Sequence, residues 1–482
     1  MTGEPKPFRT FRDSGVPWLG DVPSHWGVTR NKYLFREVND RSPDGDRQLL
    51  TVSQYTGVTK RRDGLFKEGE ATTDSASLTG YKVVTPGDLV MNIMLAWNGS
   101  LGVAAVDGIA SPAYCVFRAN AGAAPRFFHY LFRTPLFTGA FKTVSRGVVD
   151  SRLRLYPDAF FRLSSPVPPL AEQAAIVRFL DHANRRIRRY IAAKQELIVL
   201  LNEQKQAIIQ RFVTRGFDPN VQLKPSPVEW LGDVPQHWSV SQLRWLVRLG
   251  KTITYGIVQP GEPDPSGRFM VRGQDYSSGW AKPETLFRVS DAIEAPYKRS
   301  RLSAGDIVMT IVGAGVGNVA IVPGWLDGAN ITQTTARIAV DPTKSDAEFI
   351  AFVLQGPVGR QNVDLHVKGA AQPGLNLEHV RIFLVPVPPL EEQRAIASAI
   401  RDEIGTLQVA ADRAARGIAL VREYGRRLIS DVVTGQFDVL EAATRLPDEN
   451  DEPEPPNAED EGLVDQDADA SNLGPISDDG DG

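Results

Sequence analysis

What the chain has least of narrows its chemistry first. It carries one cysteine, Cys115, among 482 residues, so no intrachain disulfide can form. Cys115 sits in the run Ala113-Tyr114-Cys115-Val116-Phe117, where a thiol serves as a small hydrophobe. Only six histidines are present, and no His/Cys spacing matches a metal site. No apolar run approaches the ~20 residues of a membrane span, and Met1-Thr2-Gly3-Glu4-Pro5 has no apolar signal core. The expectation is a cytoplasmic protein with no membrane partner and no bound metal.

Motifs of catalysis are equally scarce. Ile311-Val312-Gly313-Ala314-Gly315-Val316-Gly317 resembles a dinucleotide loop, but its third glycine comes one residue early and no helical pattern follows. Gly250-Lys251-Thr252 has Trp245 where a phosphate loop needs glycine. Glu203-Gln204-Lys205 mimics a nuclease ending but lies within a helical pattern, and no Asn-Pro-Pro-aromatic segment occurs. His25 and His237 each precede a tryptophan and read as packing, hydrogen-bonding residues. The chain is expected to have no catalytic residue and no cofactor of its own.

Repetition is what the sequence does have. Trp18-Leu19-Gly20-Asp21-Val22-Pro23 with His25-Trp26 returns as Trp230-Leu231-Gly232-Asp233-Val234-Pro235 with His237-Trp238, an offset of 212. Pro166-Val167-Pro168-Pro169-Leu170 with Glu172-Gln173 returns at Pro386-Val387-Pro388-Pro389-Leu390 with Glu392-Gln393, an offset of 220. Pro86-Gly87-Asp88-Leu89-Val90-Met91 answers Ala304-Gly305-Asp306-Ile307-Val308-Met309 at 218, each a turn feeding a buried strand. Such spacing far exceeds solenoid periods of about 20–50 residues, so a whole domain-plus-helix unit is duplicated. Two similar surfaces related by an approximate two-fold suit a two-fold ligand such as duplex DNA.

After each Pro-rich phrase runs a long heptad pattern. In the first copy it is Ile176, Leu180, Ala183, Ile187, Tyr190, Lys194, Leu197, Leu201, Gln204 and Ile208. The pattern stops at Arg215-Gly216, with Pro219 beyond. Ile396, Ile400, Leu407, Val421 and Leu428 repeat it 220 residues on, with Ala410, Ala414 and Gly417 aligned to Tyr190, Lys194 and Leu197. Large residues on one helix and small ones on the other predict an intramolecular antiparallel coiled coil, each helix about 60–68 Å long at 1.5 Å rise. Ile191, Ile198, Ile209 and Ile418 remain as apolar positions for partner subunits to cover.

The predicted fold class is α+β: two similar mixed α/β domains separated by two long helices, with a pseudo-two-fold internal repeat. The expected boundaries are 1–165 and 217–385 for the domains, 166–216 and 386–441 for the helices, and 442–482 for an acidic disordered tail. Fourteen Asp and Glu follow Leu446 with no Lys or Arg; of 58 acidic residues 44 then face 54 basic ones, so the body is near +10 although the chain is −4. The tail reads as a solubilising extension or as a weak competitor for the basic body.

Between the repeated anchors the halves diverge, and candidate DNA contacts cluster there. The first half offers Lys60, Arg61, Arg62, Asn98, Ser145, Arg146 and Arg152, with Arg154 beside them. The second offers Arg272, Gln274, Tyr276, Arg299, Arg301, Gln333, Lys368 and Gln372. Arginine pairs with guanine and glutamine or asparagine with adenine, while lysine and serine hold phosphates.

With both repeated phrases present twice and in order, the chain resembles the specificity subunit of type I restriction–modification systems from about residue 11 to 441. The resemblance implies two target-recognition domains, each reading half of a split site on double-stranded DNA, with the helices as spacer. It implies docking of two modification (methyltransferase) subunits and of restriction (helicase–nuclease) subunits. Those partners would use S-adenosylmethionine, ATP and Mg; the subunit itself neither cuts nor methylates. The acidic tail departs from the family pattern. A free-standing DNA-binding or scaffold protein that has lost its enzymatic partners is the rival reading.

Overall fold

The computed structural model describes residues 6–61, 78–149, 152–369 and 373–447. The chain divides into two compact units, residues 1–195 with 415–482 (unit 1) and residues 196–414 (unit 2). The long helices, Leu170–Arg215 and Leu390–Val433, pack together, but they are not a body apart from the globular halves. Each unit takes one globular half with a stretch of both helices.

The halves share one topology. In unit 1 a four-stranded antiparallel sheet runs in the order Leu101–Val103, Leu89–Asn92, Tyr114–Ala119, Phe35–Val38. Unit 2 repeats it as Val319–Ile321, Ile307–Thr310, Thr335–Ile338, Thr254–Tyr255. The strands after the repeated Gly-Asp turn are central and fully buried, as their unbroken apolar character requires. Helices Pro125–Leu131 and Pro135–Val144 correspond to Ala347–Gln355 and Pro357–His366, and each set begins after a residue held extended by the following proline or capped by Asp346. Unit 1 adds two antiparallel pairings, the hairpin of Leu50–Ser53 with Gly57–Lys60 and the longer-range pair Lys82–Val84 with Gly108–Ala110. Unit 2 adds a three-stranded sheet of Phe287–Val289, Arg268–Val271 and Asn330–Ile331.

Both repeated phrases belong to one clamp. Ser164–Val167 pairs with Gly27–Arg30, and Leu384–Val387 with Ser239–Gln242, which brings each Trp to the start of a long helix. Glu172 then accepts from Trp26 Nε1 at 2.9 Å, with His25 Nε2 at 2.8 Å on its other oxygen. Glu392 does the same for Trp238 at 3.1 Å and His237 at 2.9 Å. A carboxylate in a first helical turn is also favoured by the helix dipole. The adjacent glutamine fixes the helix to its own domain: Gln173 accepts from Ala124 N and donates to Pro168 O, each 2.8 Å, and Gln393 accepts from Asp346 N and donates to Pro388 O, each 2.8 Å.

Within each unit the helix stretches run antiparallel. In unit 1 a Cβ at Gly417 would lie 3.1 Å from Tyr190 Oη and one at Gly425 3.0 Å from Ile187 Cδ1. The large-against-small reading thus holds for Tyr190 and Gly417. In unit 2 Lys205 Nζ donates to Gln408 at 2.7 Å and Arg211 to Glu403 at 3.2 Å.

Two expectations are corrected. Ile191 (5% exposed) and Ile418 (7%) are buried in unit 1 and Ile209 (1%) in the core of unit 2, so the chain already covers them; Ile198 is half-buried. Ile209 is covered by the core of the globular half of unit 2, which a heptad pattern alone does not reveal. On the two long helices, the large apolar side chains that face solvent include Leu170, Tyr190, Leu420 and Tyr424 in unit 1 and Leu197, Val199, Leu200 and Val409 in unit 2. The second correction concerns the tail boundary at 442. Helix Leu440–Thr444 buries Ala442 and Ala443, and Leu446 is buried too, so the folded chain extends to 447. Residues 448–482 lie outside the described residues.

Candidate nucleic-acid interface

Unit 2 gathers three of the predicted contact residues around one open concavity of about 640 Å³: Arg272, Gln274 and Gln333. Asn318, Thr332 and Thr334 share its wall, with Ala314 and Gly315 of the glycine-rich turn. Strand Arg268–Val271 delivers Arg272 to the start of a short 3-10 turn, Gly273–Tyr276. There Asp275 holds the guanidinium by two contacts, Nε at 3.3 Å and Nη2 at 3.1 Å. Gln274 and Gln333 are exposed on the rim. The turn at 313–317 is closed by glycines at φ +100° and +92° and leads into strand Val319–Ile321, not a helix, which removes the nucleotide reading on geometric grounds.

Next to this concavity stands a hairpin that unit 1 repeats. Lys368 bridges Gly374, and Gly374 bridges Val312 of the concavity wall. In unit 1 Arg146 bridges Arg154, and Leu155 N donates to Ile93 O at 2.8 Å, as Leu375 N does to Ile311 O at 2.7 Å. Gly147 permits the tight closure: its φ is +154°, and a Cβ there would meet Arg152 O at 2.6 Å. Lys368, Arg146 and Arg152 are exposed on these hairpins, although Arg146 also pairs with Asp158 at 2.7 Å.

The remaining candidates separate. Lys60 is exposed at the end of strand Gly57–Lys60 with Arg61 following, and Asn98 donates to Gln54. Ser145 Oγ donates to Phe141 O at 2.7 Å and closes the helix behind it. Tyr276 is a correction: it is 5% exposed, its hydroxyl lies 2.8 Å from Thr310 Oγ1, and burial pushes its pKa up to about 12. It is a core residue, brought inside by the 3-10 turn, and is not available for contact. Arg301 is held by Glu294 through two 2.6 Å bonds, Glu294 being buried and also bound by Asn330. That pairing keeps the Glu294 carboxyl below its ordinary range. Arg299 is exposed beside it. Arg62 and Gln372 lie outside the described residues. Asn318 and Thr332 were missed; the only hint was a polar residue directly after a glycine turn that follows a buried strand.

Among the described residues no group of His, Cys, Asp and Glu could hold a metal ion, and no helix is long and apolar enough to cross a membrane. The turn-and-hairpin surface of unit 2 carries mixed cationic and amide groups, Arg272, Gln274, Gln333 and Lys368 among them.

Comparison with known proteins gives this surface a context. Residues 276–410 match the family model described as type I restriction modification DNA specificity domain. The type I restriction enzyme EcoBI specificity subunit of Escherichia coli is 26% identical over 276 residues, 56% of this chain and 58% of that protein's length. The MjaVIII specificity subunit of Methanocaldococcus jannaschii is 22% identical over 399 residues, covering 79% of this chain and 86% of its own. A solved structure titled for complex assembly and conformational transition of the type I R-M system shares the fold, with a TM-score of 0.60 at 16% identity over 86% of this chain and 98% of that one. Over these stretches the chain is similar to type I restriction enzyme specificity subunits.

Proposed function

We propose that this chain reads a bipartite site on double-stranded DNA, one half-site per globular half, and directs modification and restriction subunits to it. The observation that carries this reading is one scaffold used twice, with matching strand order and hairpin, whose polar residues differ between copies. A shared scaffold supplies two similar docking frames, and divergence at the hairpin and concavity makes the two half-sites different in sequence. Exposed Gln274 and Gln333 with Lys368 in unit 2, and Lys60, Arg146 and Arg152 in unit 1, are the contacts assigned to base edges and phosphates. Arg272, steadied by Asp275, presents a planar fork suited to guanine.

The two helices, 46 and 44 residues long, set the number of unread base pairs between half-sites. The chain is non-catalytic. Methyl transfer from S-adenosylmethionine and ATP- and Mg-dependent cleavage belong to partner subunits, two modification subunits among them, within the cytoplasm. The solvent-facing Leu197, Val199, Leu200 and Val409 of unit 2 and Leu420 and Tyr424 of unit 1 are the apolar positions offered to those partners. A domain exchange tests the modular reading. With residues 1–165 replaced by those of another family member and the modification subunit co-expressed, sequencing of methylated adenines should show one changed half-site and one unchanged. Change in both, or in neither, would overturn it.

A further inference from the structure

The turn that follows the central strand has the same length in both halves but opposite bulk. In unit 1 residues 93–100 join strands Leu89–Asn92 and Leu101–Val103, and in unit 2 residues 311–318 join Ile307–Thr310 and Val319–Ile321. The pairings of Met91 with Leu101 and of Met309 with Val319 set the two turns in one register, 218 residues apart. Leu95 and Trp97 therefore stand where unit 2 has Gly313 and Gly315. Gly315 lines the concavity of about 640 Å³, and even a Cβ there would come within 3.0 Å of Asn318 Nδ2. Unit 2 has no room at that position for the indole that unit 1 carries.

The unit 1 turn uses much of its own polar backbone. Asn92 Oδ1 accepts from Met94 N at 3.1 Å, and Met94 O accepts from Trp97 Nε1 at 2.9 Å. Leu95 O accepts from Asn98 N at 2.9 Å and from Ser100 N at 3.1 Å. What the turn shows to solvent is apolar: Met94 and Leu95 are both exposed. The neighbouring hairpin, tied to the turn by Leu155 N donating to Ile93 O at 2.8 Å, continues this character. Past the Arg146–Arg154 bridge Val148 is 98% exposed and Val149 is exposed beside it. Arg146 and Arg152 are exposed on the same hairpin, so the apolar surface is flanked by cations.

That arrangement fits a partner whose apolar groups lie between anions. Among the groups that tell base pairs apart in the major groove, the 5-methyl of thymine is the apolar one, and phosphates run along both sides of it. Building on the bipartite DNA reading, we infer that unit 1 reads its half-site through thymine methyl groups, which seat against Met94, Leu95 and Val148 while Arg146 and Arg152 hold the adjoining phosphates. Unit 2 reads by hydrogen bonds from its amide-lined concavity. One duplicated frame thus carries two kinds of readout, separated by bulk against glycine at two positions of a single turn.

The test uses the full chain with its co-expressed modification subunit, on the site mapped by sequencing methylated adenines. Unit 1's half-site is the one that changes when residues 1–165 are exchanged. Deoxyuridine in place of thymidine, one position at a time, removes only the 5-methyl group, and fluorescence anisotropy reads the affinity. In unit 1's half-site the replacement should weaken binding about fourfold for each methyl that is seated. In the other half-site it should have little effect. The double variant Leu95→Ala/Val148→Ala should no longer distinguish the two duplexes, whereas Leu249→Ala, at a fully exposed position of unit 2, should keep the distinction. Sequence-specific binding with no deoxyuridine effect in unit 1's half-site, or with an effect that the double variant retains, would overturn the inference and leave the DNA reading standing. A double variant that sheds the modification subunit yet keeps the distinction would also overturn it, and would assign the surface to protein contact. Binding with no sequence preference at all would instead remove the DNA reading itself, and this inference with it.

Discussion

The Glu172 clamp makes a quantitative claim. Glu172→Ala removes the acceptor of Trp26 Nε1, and both residues are buried, at 4% and 1% exposure. An orphaned buried donor costs about 1–3 kcal/mol, and a first-turn carboxylate adds about 0.3–1 kcal/mol through the helix dipole. The expected loss is therefore about 1–4 kcal/mol in unit 1. Glu392 is the weaker partner because its side chain is 26% exposed, and water replaces part of what Glu392→Ala removes; about 1–2 kcal/mol is expected in unit 2. Glu172→Gln keeps an oxygen acceptor for the indole and should recover more than half the loss. Hydrogen–deuterium exchange on the intact chain reads each unit separately, so the loss should fall on peptides around 20–30 and 120–135 for Glu172 and around 235–245 and 340–355 for Glu392. A change below about 0.5 kcal/mol, or equal changes in both units from either substitution, would refute a local clamp.

Other predictions use the repeat as an internal control. Asp88 and Asp306 occupy equivalent turns but titrate oppositely. Burial pushes Asp88 up, yet two bonds from Arg118, at 2.8 and 2.9 Å, and those from Thr85 outweigh it, so its folded pKa is lowered; its stabilisation is present above the unfolded value and lost as pH falls through the folded one. Asp306 is raised by burial, with only partial relief from Ser303 N and the Arg337 charge, so its ionised form costs stability above the raised pKa and acidification recovers it. Asp88→Asn should therefore destabilise unit 1 at pH 7, while Asp306→Asn should be neutral or stabilising in unit 2; denaturation from pH 3 to 7 checks both signs. Gly435→Ala, at φ +82° with a Cβ 2.4 Å from Pro23 Cδ, should cost about 2–4 kcal/mol by strain and overpacking in a thermal-unfolding assay. Gln333→Ala should weaken one half-site by about 1–3 kcal/mol and relax its sequence, measured by binding to randomised duplexes. Lengthening the 170–215 helix by two turns should change the unread spacing between methylated half-sites; an unchanged spacing would refute the ruler.

Much of the fold was legible because its signals are local or repeated. The heptads of both helices, the Gly-Asp turns before buried strands and the two paired phrases all stand in the sequence, and each maps to a defined element. Legibility failed where long-range packing decides. Ile191, Ile209 and Ile418 look like a free stripe on an isolated helix, yet burial comes from residues far away in sequence. Tyr276 sits among polar residues in sequence, and only the 3-10 turn carries it inward. A cavity of about 350 Å³ in unit 1 was unreadable for the same reason: Arg126, Arg133, Arg188, Arg422 and Arg426 line it from positions that no window joins.

The pairing of Lys6–Pro7 with Phe437–Asp438 has a topological consequence. It lays the first described strand beside the segment that follows the second long helix, inside the same unit. Covalently, unit 2 is one uninterrupted segment, while unit 1 is a closed loop of two segments whose outer ends meet. The two outer ends of unit 1 are thus held side by side by a strand pairing. A chain opened instead near residue 217, with 447 joined to 6 by a short linker, would keep every pairing described above.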